Sequence, residues 1–572
     1  EIGVRLVGSE MCIRDSILAY IWFYLLKSLK MRTPFSLIFC FILFISCSSY
    51  DADLIIHNAS IYTVNNSFDT ATAVVVKDGK FIAVGGQDLL NQYNARSLVD
   101  LNGFPVYPGF IDAHCHFYNF GLLQEQLDLS GTKSFEEVVD KVAQYIETHP
   151  GTPVLGQGWD QNTWEVKEYP TKDILDQRFP NQLIALKRVD GHALLVNQAT
   201  LDLAGVDSTT TVDGGVYVRS EGQLTGVLID NAMDLVYAAL PKPTKKQQTA
   251  ALLAAQDIAF QNGLTTVDDA GLDKEQLELI ERLHQEGVLD IRVYGMISNT
   301  PENLAHYLEQ GPTQTERLNI RSVKVYADGA LGSRGAALKK EYSDAPGNHG
   351  SFVTPVDQIE ALADVLVKKG FQMNTHAIGD AANYEVLSAY KKALTIDADP
   401  RWRIEHAQIV SLEDREFFSS KIIPSIQPTH ATSDMFWADE RLGEERMQGA
   451  YAYKSLLDWS GKVALGTDFP VENVSPLKTF YAAVARTTEE QLPEGGFQMG
   501  DALSRTEALK GMTLWAAYAN FEEEIKGSIE LGKYADMVIL KQDIMNLDIH
   551  KVPQVEVIAT IVNGDMVYRA PN

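Results

Sequence analysis

The sequence predicts an α/β protein in which strands and helices alternate to form a barrel, beside a small sheet domain. Three observations predict this fold. Apolar strand candidates alternate with helical stretches over residues 107–520, short strands crowd residues 52–106 and 521–572, and polar residues recur where the strand candidates end. Repeated strand-helix units form parallel sheets, and eight of them close a barrel. The two terminal segments are expected to complete one sheet domain between them.

Both terminal segments carry the pattern of a β-hairpin. Asp78-Gly79 lies between two apolar runs in the first segment, and Asn563-Gly564 lies between two apolar runs in the last. Asp-Gly and Asn-Gly pairs favour tight two-residue hairpin turns. We therefore expect antiparallel strand pairs at both ends of the domain.

The middle segment offers more strand candidates than a barrel has places. Helical stretches that stop at Gly263 and Gly370 separate several of them. Two candidates are expected outside the barrel, namely PVLGQG and either IRVYGMI or QLIALKRV, and residues 160–245 are expected to be an insertion. The candidates are VYPGFIDAH, PVLGQG, QLIALKRV, LTTVDDA, IRVYGMI, SVKVYAD, FQMNTHA, WRIEHAQI, IIPSIQP and KVALGTD.

The N-terminal residues are interpreted as outside the fold. Residues 1–30 resemble a translated adapter, foreign to the native chain, and residues 31–46 have the basic start and short apolar run of a secretory signal. The sequence FISC ending at Cys47 resembles a bacterial lipobox, although Phe44 stands where Leu is usual. We expect an exported lipoprotein anchored at Cys47 in a bacterial cell envelope. A plain signal peptide and an uncleaved anchor are the alternatives.

The net charge limits the classes of binding partner, and the cysteine content limits the possible disulfides. The formal net charge of -27 argues against nucleic acid and against an anionic membrane surface, because phosphates would be repelled. The four cysteines are Cys12, Cys40, Cys47 and Cys115, and processing at Cys47 would remove the first two. No structural disulfide is therefore expected, and Cys115 is assigned to barrel packing.

Polar residues at the strand ends suggest one shared site. His114 and His116 are one residue apart after an apolar strand, so both imidazoles are expected to face the same side. Active sites of α/β barrels form at the carboxyl ends of the strands. The candidates that the spacing can bring to that end are His114, His116, Lys324, His376, His406 and Asp468.

Imidazoles with a carboxylate suit a divalent transition metal, above all zinc. Water bound to such an ion loses a proton near pH 7, and Asp468 can take that proton and pass it to a leaving nitrogen. Each residue also has a structural explanation. Lys324 could extend along an apolar strand or pair with Asp328, and Asp468 could be a turn residue before Pro470. Their joint arrival at strand ends favours the metal site.

These motifs resemble the amidohydrolase superfamily, and more closely its YtcJ-like branch, the amidohydrolase-3 family that includes N-substituted formamide deformylases. The resemblance covers roughly residues 52–570. Its motifs are PGFIDAHCH, Lys324, THAIGD, IEHAQ and GTDFP, with LKRVDGHALLVN, DGGVYVRSEGQLTGVL, KVYADGALGSRGAAL and GSIELGKYADMVIL for the branch.

The resemblance implies a distorted TIM (β/α)8 barrel beside a small β-sandwich from both ends of the mature chain. It implies one or two metal ions, with zinc favoured, held by the histidines and aspartate named above. Lys324 matches the position where many members carry a carboxylated lysine that bridges two metals. His192 matches a substrate-facing residue of the family.

Several residues are secondary candidates for substrate binding. Trp159, Asp160 and Trp164 could wall a pocket, and Arg334 could hold an acidic substrate group or pair with Asp328. His430 and Tyr118 are left open.

Three functional hypotheses follow. The first is a metal-dependent hydrolase that cuts a non-peptide carbon–nitrogen bond, an amide or formamide, of a small molecule by attack of metal-bound hydroxide, with Asp468 as general acid and base. The second is a surface lipoprotein that binds a ligand without catalysis. The third keeps the metal but hydrolyses an ester, or isomerises or decarboxylates its substrate. A homodimer is a further expectation.

Overall fold

The computed structural model describes most of the chain: residues 51–571, apart from 125, 189–192, 213–214, 395–398 and 420. The expected leader, the signal segment and Cys47 lie outside these ranges, so export and lipid anchoring stay predictions. In the described ranges, no helix combines the length and the apolar character needed to cross a bilayer.

Both ends of the described chain build one eight-stranded sheet. The middle of this sheet is the pairing of β1 (Ala52–Tyr62) with β2 (Thr70–Lys77) and β5 (Pro105–Pro108), and β21 (Met537–Leu540) joins β5 from the other end of the sequence. Residues from both ends share its core, among them Ile61, Val106 and Met537. Numbered along the chain, its strands are β1 (Ala52–Tyr62), β2 (Thr70–Lys77), β3 (Lys80–Gly85), β4 (Ala95–Asp100), β5 (Pro105–Pro108), β21 (Met537–Leu540), β22 (Val557–Val562) and β23 (Asp565–Arg569).

The two expected hairpins are present in this sheet. Asp78 and Gly79 connect β2 to β3 with φ of 49° and 75°, and Asn563 and Gly564 connect β22 to β23 with φ of 52° and 79°. Two-residue turns with positive φ at both positions match the twist of the flanking strands. Asp, Asn and Gly tolerate that conformation at low cost, which explains why the sequence pattern identified both turns.

Parallel strands form a nearly closed barrel of eight. Its order along the sheet follows the chain, so neighbours in sequence are neighbours in space. The strands are β6 (Phe110–Cys115), β13 (Leu264–Leu272), β14 (Arg292–Ser298), β16 (Leu318–Tyr326), β17 (Gln372–Ala377), β18 (Trp402–His406), β19 (Ile422–Ile426) and β20 (Ala464–Leu465), with β15 (Thr313–Gln314) antiparallel to β16.

Backbone bonds just beyond β20 close the barrel against β6. The Asp468 N–H donates to His114 O at 2.8 Å, and the His116 N–H donates to Phe469 O at 2.8 Å. Gly466 permits this approach, because a Cβ there would lie 2.4 Å from the His114 nitrogen. The first and last barrel strands are therefore joined at the residues predicted to bind metal.

Helices follow most barrel strands and cover the outside of the barrel. In chain order the helices are α1 (Leu89–Gln92), α2 (Phe117–Gln124), α3 (Phe135–Thr148), α4 (Asp173–Arg178), α5 (Gln198–Ala204), α6 (Asp234–Ala239), α7 (Lys245–Gln261), α8 (Lys274–Gln285), α9 (Pro301–Gln310), α10 (Val356–Lys369), α11 (Asp380–Ala393), α12 (Pro428–Asp434), α13 (Ala438–Met447), α14 (Tyr453–Ser460), α15 (Pro476–Ala485), α16 (Arg505–Gly511) and α17 (Leu514–Ala519).

A third sheet of six strands lies between the first two barrel strands in the sequence. PVLGQG and QLIALKRV supply β8 and β9 of this sheet, whereas IRVYGMI supplies β14 of the barrel, which decides between the two alternatives. The sheet starts at Leu127, earlier than the insertion expected from residue 160. Its strands are β7 (Leu127–Asp128), β8 (Val154–Trp159), β9 (Ile184–Arg188), β10 (Ala193–Val196), β11 (Gly215–Ser220) and β12 (Gln223–Asp230).

A buried ion pair joins the barrel to the terminal sheet, and we predict that breaking it is costly. Arg292 at the start of β14 donates through Nε to Asp536 Oδ2 at 2.7 Å, and both side chains are buried. Arg292→Met is expected to lower the free energy of unfolding by about 3–5 kcal/mol, because Asp536 would keep a buried charge without its partner. Urea unfolding measures this loss. Arg282→Met, which removes an exposed pair with Glu286, should change it by about 0.5 kcal/mol or less.

Candidate metal centre

The carboxyl ends of the barrel strands bring the predicted ligands together. His114 lies in β6, Lys324 in β16, His376 in β17 and His406 at the end of β18, while Asp468 follows β20. The rings of His114 and His406 have centroids 4.8 Å apart, and those of His376 and His406 are 4.6 Å apart. Residues separated by up to 354 positions in the sequence thus share one site.

Two triads around Asp468 have the spacing of metal ligands. His114, His116 and Asp468 form the first, and His406, His430 and Asp468 form the second; within each triad the ligand atoms lie within 4.8 Å of one another. His430, whose role the sequence leaves undecided, lies directly after β19, the seventh strand of the barrel. Asp468 is common to both triads.

The side chain of Glu405 fixes the orientation of His114. Its Oε2 lies 2.5 Å from His114 Nδ1, and both side chains are fully buried. The carboxylate accepts the Nδ1 hydrogen, so the Nε2 lone pair faces the centre of the site. Lys324 Nζ lies 3.2 Å from that Nε2. His114 is therefore held in the tautomer that a metal ligand needs.

Several buried polar atoms in the centre have no hydrogen-bond partner in the described part of the chain. They include His376 Nε2 and His406 Nδ1, and Asp468 Oδ1 faces only the ring nitrogens of His116 and His114 at 3.3 and 3.7 Å. An unpaired buried polar atom costs free energy, so such atoms call for a ligand. Nitrogen and carboxylate oxygen donors are those that zinc takes in proteins. The residues present therefore fit a divalent metal ion.

Burial sets the protonation of the centre. It lowers the pKa of His376 to about 3 and holds the pKa of His406 well below its ordinary value. Burial alone would raise the pKa of Asp468, but hydrogen bonds with His116 and His430 outweigh it and hold that pKa well below its usual range. The neutral imidazoles of His376 and His406 and the ionised Asp468 are the forms that bind metal. At His430 burial favours the neutral ring, but hydrogen bonds with Asp468 and Glu472 outweigh it and raise the pKa to about 10, so this ring has to lose a proton to bind metal.

The backbone at two ligands is in an uncommon conformation. His406 has φ of 72°, followed by Ala407 with φ of 43°, and Asp468 has φ of 62°. Positive φ is unfavourable for residues with a Cβ and persists where the surrounding structure enforces it, commonly at functional sites. In β18 this bend turns the strand after Glu405, so Glu405 and His406 contact the same centre.

The residues predicted to bind substrate have different surroundings. Trp159 is 1% exposed, packs in the core of the third sheet and donates from its indole nitrogen to Leu186 O at 2.7 Å. Trp164 is buried beside it. Burial thus assigns both rings to packing rather than to an open pocket wall. Asp160 accepts a hydrogen bond from Arg188 at 3.1 Å, and His192 lies outside the described residues.

The sequence allows Arg334 or Lys324 to pair with Asp328, but in the structure neither residue does so. Arg334 donates to Asp344 at 2.7 Å, a carboxylate that Arg441 also contacts. Asp328 instead accepts the backbone N–H groups of Ala337, Ile378 and Gly379 at 2.8–3.0 Å. This carboxylate fixes the loops after two barrel strands, which corrects the predicted pairings.

Glu405 is the residue of the site that the sequence interpretation missed. The signal was present in β18, where the strand WRIEH places Arg403 and Glu405 on one face. Two ionisable side chains on one face of a fully buried strand require partners inside the barrel.

The position of Cys115 agrees with its assignment to barrel packing. Its side chain is buried in the largest hydrophobic core of the described residues, and its Sγ lies 3.5 Å from Asp268 O.

Comparison with known proteins supports this architecture. Residues 97–568 match the family model described as the amidohydrolase family. The chain is 32% identical to the amidohydrolase YtcJ of Bacillus subtilis, over 90% of this chain and 98% of that protein. It is 26% identical to the N-substituted formamide deformylase of Arthrobacter pascens, over 90% of this chain and 98% of that protein.

A solved structure shows the same fold. The crystal structure of an uncharacterized metal-dependent hydrolase from Pyrococcus horikoshii superposes with a TM-score of 0.75 and is 28% identical, covering 87% of this chain and 99% of that one. Family match, sequence identity and shared architecture agree over most of the length. This chain therefore belongs to the amidohydrolase family.

Proposed function

We propose that this protein is a metal-dependent hydrolase that cuts a non-peptide carbon–nitrogen bond, an amide or a formamide, of a small molecule. The observation that carries the proposal is the pair of histidine triads that share Asp468, beside unpartnered buried nitrogens of His376 and His406. The similarity to a formamide deformylase supports the choice of bond. One or two zinc ions are the proposed cofactor.

The residues would act as follows. A divalent ion, when bound by the two triads, supplies a nucleophile at neutral pH by lowering the pKa of water and polarises the substrate carbonyl. Asp468 takes the proton of the attacking water and returns it to the departing nitrogen. His430 Nε2 lies 3.2 Å from Asp468 Oδ2 and His116 Nε2 lies 3.3 Å from Oδ1, so both oxygens of this carboxylate are held at the centre by histidine rings. Glu405 keeps the Nε2 atom of His114 directed at the centre.

Carboxylation of Lys324 is part of the same proposal. Lys324 is buried and its Nζ lies 3.2 Å from His114 Nε2, so a carbamate formed from its amine and carbon dioxide would face the metal centre. Mass spectrometry of the intact protein under native conditions is expected to show the mass of one added carbon dioxide, which Lys324→Ala should lack.

Metal removal and a substrate panel test the proposal. Dialysis against a chelator is expected to abolish turnover of formamides or N-acyl amino acids, and added zinc should restore it, because the nucleophile depends on the metal. Turnover of lactones or cyclic imides alone would favour the esterase or isomerase hypothesis. Zinc binding without any turnover would favour a ligand-binding protein.

Export and lipid anchoring at Cys47 remain proposals that the signal-like residues 31–46 support. Cys47→Ala is expected to release the protein from the membrane fraction. Retention of that variant in the membrane fraction would contradict anchoring through this cysteine.

A further inference from the structure

A network of buried polar side chains occupies the floor of the barrel beneath the metal centre. Arg403 in β18 is fully buried and donates from Nη1 and Nη2 to Asp268 Oδ2, each at 3.0 Å. Asn520, which follows α17, donates to Asp268 Oδ1 at 2.7 Å and also contacts the Arg403 guanidinium. The C-terminal part of the chain thereby holds an arginine inside the barrel.

Arg403 connects this floor to the metal ligand His114. Its Nη1 lies 4.0 Å from Glu405 Oε1, an oxygen without a hydrogen-bond partner among the described residues. The other oxygen of Glu405 holds His114 Nδ1. The same Nη1 donates to Ala113 O at 2.9 Å, the carbonyl immediately before His114. Arg403 thus hydrogen-bonds the backbone next to His114 and places its charge 4.0 Å from the carboxylate that orients the ring of His114.

Charge explains why an arginine is needed at this position. Glu405 has no access to water, and an isolated carboxylate in such a place is costly. A guanidinium is always charged, and its planar fork can contact Asp268, Ala113 and Glu405 at once. Asp268 offsets the charge of Arg403 in turn, so the three side chains form an alternating series of charges that leads from the floor to the metal ligand.

We propose that Arg403 is a positioning residue that acts through Glu405 to hold His114 in its metal-binding orientation. Asp268 and Asn520 hold Arg403 in place. The inference rests on the metal centre of the proposed function but not on the reaction. Loss of an outer partner of a metal-bound histidine typically weakens metal affinity about 10–100-fold.

Competition for zinc against a chromophoric chelator tests the inference without measuring activity. Arg403→Met is expected to weaken zinc binding by about 10–100-fold. Arg292→Met is the matched control, because it also breaks a buried arginine–aspartate pair in a barrel strand but has no contact with Glu405 or His114. Its zinc affinity is expected to equal that of the unaltered protein, although its stability is lower.

A double-mutant cycle separates positioning from a general structural effect. In a Glu405→Gln background, most of the effect of Arg403→Met on zinc affinity is expected to disappear, because the shared path is already broken. Equal losses in both backgrounds, or an equal loss in Arg292→Met, would overturn the inference. Should Arg403→Met not fold, Arg403→Lys serves instead. A zinc affinity that is unchanged in both Arg403→Lys and Asp268→Asn would also reject the inference. These measurements remain valid even if the protein hydrolyses none of the tested substrates.

Discussion

Asp468→Asn is expected to lower kcat by about 10²–10⁴-fold while the protein keeps its zinc. Asparagine retains an oxygen at the position of Oδ1 but cannot accept and return a proton. The contact of Oδ2 with His430 at 3.2 Å can be kept by the amide group, so the local structure should persist. Steady-state kinetics and metal analysis of the purified variant measure the two effects separately.

Asp364→Asn is a suitable control for that variant. Asp364 is an exposed residue of α10, and the same change of carboxylate to amide there should leave kcat unaltered. If Asp468→Asn kept full turnover, Asp468 would have no role in proton transfer. If it lost its zinc together with its activity, Asp468 would be a ligand whose loss alone explains the inactivity.

Gly466→Ala is expected to destabilise the protein by about 3 kcal/mol or more and to reduce its zinc content. The added Cβ would lie 2.4 Å from His114 N and 2.8 Å from His114 O. Backbone atoms cannot move aside as the end of a side chain can, so overpacking here has to displace β6 from the last barrel strand. His114 lies on β6, and its displacement would disrupt the triad of His114, His116 and Asp468. Urea unfolding and metal analysis report the two losses.

Gly500→Ala is the matched control for this prediction. A Cβ at Gly500 would have no heavy atom within 4 Å. The same substitution there is expected to change the free energy of unfolding by about 0.5 kcal/mol or less. Equal stability of the two variants would show that the barrel can close without the close approach at Gly466.

The barrel was largely predictable because its signals are local. Most of its strand candidates are apolar runs that helical stretches separate. The terminal sheet has local signals too, because the hairpin turns at Asp78-Gly79 and Asn563-Gly564 require residues that tolerate positive φ. Assignment of strands to sheets was harder. QLIALKRV and IRVYGMI are similar in length and apolar content, yet only the second pairs with barrel strands, because pairing depends on the whole chain.

The site was predictable at strand ends and less so elsewhere. Asp468 and the histidines follow apolar strands, a pattern that identifies them directly. Glu405 was missed because its role depends on contact with His114, 291 positions away in the sequence, which the sequence does not reveal. Trp159 was only a candidate for a pocket wall, because a tryptophan beside a polar turn suits either a pocket or a core. Only the packing of the third sheet distinguishes these two environments.

The terminal sheet can be completed only late in synthesis. β5 pairs with β21 across more than four hundred residues, so the hydrogen-bonding edge of β5 stays open until the ribosome has delivered Met537. Loop closure over such a distance is slow, and an uncovered edge invites pairing with another molecule. A chain terminated before β21 would therefore leave this edge of β5 exposed even if its barrel had formed, and we expect such fragments to aggregate rather than to keep partial activity.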